Sequence, residues 1–95
     1  MQKSIGKFVW DAEREVGNIR KHGVDFLMAV RAFSDPNRKI YTDSKHSEIE
    51  ERFFCIGKVK GKVLTVRFVY REGKIRIFGA AYWRKGRQYY EEENG

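Results

Sequence analysis

The chain has 95 residues, with 20 Lys and Arg against 13 Asp and Glu, a formal charge of +7 and a pI near 9.7. That length suits one domain, residues 1–95, with a modest core to which the 15% aromatic content contributes. A single cysteine excludes an internal disulfide framework and suits a reducing cytoplasm, and the absence of a long apolar run or signal-peptide pattern predicts neither a membrane span nor secretion.

Phe8-Val9-Trp10 predicts a short first strand, with Asp11 as N-cap of the helix that follows. Ala12, Val16 and Ile19 define its apolar stripe, and Gly23 its stop. Asp25 caps a second helix in which Phe26, Ala29, Val30 and Phe33 recur at helical spacing, ended by Ser34-Asp35-Pro36-Asn37. Residues 39–43 predict another short strand, and 44–51 a polar loop carrying His46.

Three long runs follow, Arg52–Val59, Lys62–Arg71 and Lys74–Ala81, separated by Lys60-Gly61 and Glu72-Gly73 as two-residue turns. Those turns pair Val59 with Lys62 and Arg71 with Lys74, and alternation then sorts the side chains. One face carries Phe53, Cys55, Val59, Leu64, Val66, Phe68, Tyr70, Ile75 and Ile77, a core. The other gathers the cations Arg52, Lys58, Arg67, Arg71, Lys74 and Arg76 with the rings of Phe54 and Phe78, and with Ile56, Val63 and Val69 among them. Folding alone requires no such density of charge on a wet face, and a nucleic-acid backbone, RNA or DNA, is its natural partner. Residues 82–93 predict a closing helix with Trp83, Arg87 and Tyr90 along one side, weakened by Gly86. The whole is an α+β domain: an antiparallel sheet of about four strands, two N-terminal helices and one C-terminal helix.

No cofactor or metal is called for, because His22, His46 and Cys55 fall short of any zinc spacing and no phosphate-binding glycine loop is present. RNA cleavage needs neither, since the ribose 2′-OH is the nucleophile. The protein has to orient that hydroxyl, move protons and stabilise charge on phosphorus. Arg67 and Arg76 are the candidates for phosphate and transition-state charge, and His22, Lys21 and Glu51 for proton transfer or orientation. Arg52, Phe54, Lys58, Arg71, Lys74, Phe78 and Arg84 are the candidates for holding the strand. His22 is equally placed to cap its helix, and Glu51 to form a simple ion pair.

Several blocks carry a resemblance. Phe8-Val9-Trp10-Asp11, the run from Asn18 through Lys21-His22-Gly23 to Phe26, Ala29, and Phe33-Ser34-Asp35-Pro36 are similar to the BrnT family. So are Asp43, His46, Glu50, Glu51-Arg52-Phe53, Ile56-Gly57 and Ile75-Arg76-Ile77. The resemblance implies a RelE-like fold and a metal-independent endoribonuclease toxin of a type II toxin–antitoxin system. It also implies inhibition of translation and neutralisation by a DNA-binding antitoxin of the BrnA type. A homodimer is compatible with the sequence, but no residue calls for one. The chain departs from the family where serine-alanine-arginine is usual after the last strand: here stand Gly79-Ala80-Ala81, and the later helical glutamate is replaced by Gly86 or Arg87. Either the arginine's role passes to Arg84 or Arg87, or the chain is a non-catalytic module binding RNA or a partner. A third alternative is a cationic face that docks an acidic protein.

Overall fold

The computed structural model describes residues 1–47 and 49–95; Glu48, part of the acidic run before the long strands, lies outside them. The strands are β1 (Gln2–Ile5), β2 (Phe8–Asp11), β3 (Lys39–Thr42), β4 (Arg52–Val59), β5 (Lys62–Arg71) and β6 (Lys74–Ala81), and the helices are α1 (Ala12–His22), α2 (Phe26–Ala32) and α3 (Arg84–Asn94). A 3₁₀ turn covers Ser44–His46. The architecture is α+β, with two helices before the long strands and one after them, as the sequence predicts.

The sheet corrects the expectation of about four antiparallel strands. Six strands lie in the order β1-β2-β6-β5-β4-β3, and β2 runs parallel to β6 through Phe8↔Ile75, Val9↔Arg76 and Trp10↔Ile77. β1 eludes sequence reading because all four of its residues are exposed and mostly polar; pairing with β2 defines it. The parallel pairing joins segments from opposite ends of the chain, which local pattern cannot report.

Both predicted hairpins hold, with Val59 opposite Lys62 and Arg71 opposite Lys74. Lys60 and Gly61 have φ of 52° and 82°, and Glu72 and Gly73 54° and 74°, the pair of positive angles that matches a tight turn to strand twist. A bulge interrupts β6: Phe68 pairs with Ile77 but Arg67 with Gly79, leaving Phe78 unpaired. Alternation therefore shifts by one residue, so Ala80 joins the core and Ala81 turns to the opposite face.

α1 and α2 cover one face of the sheet. Phe26, Ala29 and Ala32 pack with Leu64, Val66, Phe68, Ile75 and Ile77, and Trp10 meets Phe26 edge-on. Tyr70, expected in this core, is half exposed at its margin, its ring edge-on to Phe53 and Phe68. The expected stripe of α1 is also corrected: Val16 and Ile19 are 52% and 45% exposed, and the helix buries Glu15 and Asn18 instead. These polar groups replace apolar packing because backbone groups there need partners. Glu15 accepts hydrogen bonds from the Trp10 indole, the Phe26 backbone N–H and Lys3. Asn18 donates to Val24 O and Ala80 O and accepts from Ala80 N, pinning the last turn of α1 to the end of β6.

α3 lies across part of the other face, where Tyr90 packs with Ile56 and Val63. Its approach is close enough that a Cβ on Gly86 would collide with Thr65 Oγ1. The face read as open in the sequence is thus divided: Ile56, Val63 and Thr65 are sealed, with the Lys58 ammonium over the Tyr90 ring at 5.7 Å, while Arg52, Arg67, Arg71 and Lys74 remain exposed. Among the described residues, no helix is long and apolar enough to cross a membrane.

Candidate active site

Beside α3, on the uncovered part of this face, lies a cleft of about 420 Å³ lined by Phe54, Thr65, Arg67, Ala81 and Trp83, with both histidines of the chain, His22 and His46, at its walls. Each arrives by a different route. The Asn18 clamp holds the end of α1 at Ala80 and so delivers His22. Arg67 projects from β5 and its guanidinium lies across Gly79, where a Cβ would fall 2.6 Å from Nη2 and displace the guanidinium from this position.

His46 is fixed by its own turn. Asp43, itself 7% exposed, places Oδ2 2.9 Å from His46 Nδ1. A carboxylate only accepts, so Nδ1 donates and Nε2 is left as the basic nitrogen at the exposed edge of the ring. The turn is tied down in turn. Ser47 Oγ donates to Asp43 O and accepts from Arg52 N, and Asp43 N donates to Arg52 O. A histidine oriented by a buried aspartate beside an arginine is an arrangement for moving a proton next to an anion.

The other site candidates fall into three groups. Arg52, Arg71, Arg76 and Phe78 line a second, more polar cleft of about 250 Å³, so Arg76 does not share a cleft with Arg67 and the histidines. Phe78 stands between the two clefts, its ring centroid 4.9 Å from the Arg52 guanidinium and 5.5 Å from that of Arg67. Arg71 is engaged by Glu50 through two hydrogen bonds of 2.6 and 3.0 Å, which hold the Glu50 carboxyl below its usual range although the slight burial there acts the other way. Arg84 lines a shallower hollow at the start of α3 with Tyr82 and Trp83. Lys21, Glu51 and Lys74 are exposed and line none of these hollows, and Lys58, also exposed, rests its ammonium over the Tyr90 ring of α3 instead.

Sequence reading passed over Asp43 and His46 as site residues, although their three-residue spacing is the available signal. It also passed over Tyr82 and Trp83, whose place depends on where α3 begins: Trp83 is the N-cap and its ring lies tilted against Phe54, centroids 5.6 Å apart. Among the described residues, no group of three or more His, Cys, Asp or Glu side chains is placed to hold a metal ion.

The site thus belongs to an α+β domain that brings a histidine–aspartate pair and an arginine to one cleft. Comparison with known families is more specific. A profile described as "Ribonuclease toxin, BrnT, of type II toxin-antitoxin system" matches residues 10–86, and the chain belongs to that family. No curated protein matches the chain.

Proposed function

We propose that the protein is a RelE-like endoribonuclease toxin that cleaves RNA in the cleft shared by His46, Arg67 and His22. The observation that carries this reading is the 2.9 Å Asp43–His46 pair in a cleft with Arg67. His46 Nε2 takes the proton of the ribose 2′-OH as that oxygen attacks phosphorus. The bond to the 5′-oxygen breaks, and His22, in its protonated form, returns a proton to the leaving oxygen. The products are a 2′,3′-cyclic phosphate and a 5′-hydroxyl. No metal takes part. Arg67 faces the extra negative charge on phosphorus, the place where an organised cation contributes most. Phe54, Trp83 and Phe78 stack bases, and Arg52 and Arg84 hold flanking phosphates.

Arg67 in this reading performs the charge-stabilising role that the family arginine would have at Ala81, from the neighbouring strand. Cleavage of messenger RNA in the cytoplasm then stops translation, and a BrnA-type antitoxin neutralises the toxin. The test is incubation of the purified protein with RNA at low salt, followed by end analysis. Cyclic phosphate ends that disappear in His46→Ala and Arg67→Ala support the reading. Intact RNA, with unimpaired growth on expression, favours the second reading prompted by Ala81 in the cleft wall: an RNA- or partner-binding module of the same fold.

A further inference from the structure

The geometry points to a second phosphate subsite in the cleft behind Phe78, which makes an extended single-stranded RNA, longer than a dinucleotide, the substrate of the site proposed above. The inference rests on that reading for the direction of the strand, and on its own observations for the subsite.

The second cleft draws its arginines from four elements. Arg14 comes from α1, Arg52 from β4, and Arg71 and Arg76 from β5 and β6. Arg14 had no place in the sheet-face pattern; it reaches the cleft because β2 lies beside β6 and α1 starts directly after β2. Two carboxylates share the cleft, and each has a partner: Asp11 Oδ1 accepts from Glu13 N, and Glu50 is held by Arg71. Four guanidinium groups against two carboxylates leave a net positive hollow. Arg76 Nη2 donates to Gln2 Oε1, while its Nε is buried with no partner, a donor left unsatisfied among the described residues. Planar guanidinium groups lining the hollow suit a phosphate in geometry as well as charge.

The two clefts are connected. A third hollow shares His46 with the first, and Arg52 and Glu50 with the second. Along the path, rings line the reacting end and guanidinium groups the far end. That sequence of surfaces suits unpaired bases followed by backbone.

The experiment measures binding separately from cleavage. Single-stranded oligoribonucleotides carrying 2′-O-methyl groups, from a dinucleotide to a decamer, lack the nucleophile and are titrated by fluorescence anisotropy at several salt concentrations. Affinity is expected to rise in a step once the probe spans both clefts. In Arg14→Gln with Arg76→Gln the step should shrink roughly tenfold. The salt slope should fall by about 0.7 for each phosphate that the variant no longer neutralises. Arg14→Gln alone, on an exposed helix surface, should reduce the step in part and serves if the double variant folds poorly. A step of unchanged height in both variants, or affinity independent of length, overturns the proposal. So does unchanged RNA binding in variants that lose affinity for polyglutamate, which would make the hollow a dock for an acidic protein. If the step behaves as expected but unmodified RNA stays intact, the subsite stands and the cleavage reading fails.

Discussion

Asn18 and His46 are exposed to the same demand, that a polar side chain be held in one orientation, and meet it differently. Asn18 is buried and makes three hydrogen bonds to main-chain groups of two other segments. Asn18→Ala leaves those groups unpaired, so an equilibrium denaturation should register a loss of about 3 kcal/mol. His46 is exposed and depends on one buried partner, Asp43. His46→Ala should lower the cleavage rate by roughly 10²–10⁴-fold, the usual range for a positioned acid or base, with thermal stability little changed. Asp43→Asn should keep the ring nearby but replace an acceptor-only carboxylate with an amide that can also donate, so the tautomer is no longer fixed, lowering kcat more than it raises KM. Both residues show what a sequence discloses at this scale. Asn18 stands within the most distinctive block of the resemblance, yet its hydrogen bonds to Ala80 depend on a packing that no local pattern contains. Arg67 was legible as a candidate because alternation put it among cations; its resting place over Gly79 was not.

At the level of elements, α3 is held by close approach rather than by a broad apolar face. Gly86→Ala should favour the helix by about 1 kcal/mol on propensity, yet its Cβ would meet Thr65 Oγ1. The expected result is therefore a less stable protein with a more protease-sensitive C-terminal helix, and Thr65→Ala in the same chain should restore much of the stability. Polar anchors add a pH dependence. Burial alone would raise the carboxyls of Glu15 and Asp35, but their hydrogen bonds outweigh it and hold both below their ordinary values of 4.5 and 3.8. A carboxylate lowered on folding contributes stability that is present above its ordinary value and is lost as pH falls through the folded one. Acid unfolding should thus begin below about pH 4.5, and Glu15→Gln should flatten the slope there. Tyr90 has the opposite sense: burial, and then its hydrogen bond to Asp35, push it up to about 12, so stability should fall as pH rises from 10 toward that value. Thermal melts across both ranges check the signs. The long hairpins were legible because their turns have chemistry that permits little else. The bulge at Phe78 was not, although Gly79 inside a strand was its one visible signal.

For the molecule as a whole, the sequence made the division into a dry and a cationic face readable and left its boundaries hidden. α3 covers part of what alternation alone would leave open, β1 adds a strand without an apolar pattern, and Arg14 reaches the cationic hollow through a parallel pairing distant in sequence. The excess of base concentrates where these elements stop. The core beneath carries one reporter of its own. Cys55 is fully buried on β4, and burial pushes its thiol up to about 12. At neutral pH it is neither exposed nor ionised, so an alkylating reagent can reach it only through molecules that have transiently come apart. The rate at which it is labelled becomes a clock for that opening, readable without any engineered probe. Slower labelling when RNA is added would time how firmly an occupied surface holds the fold shut.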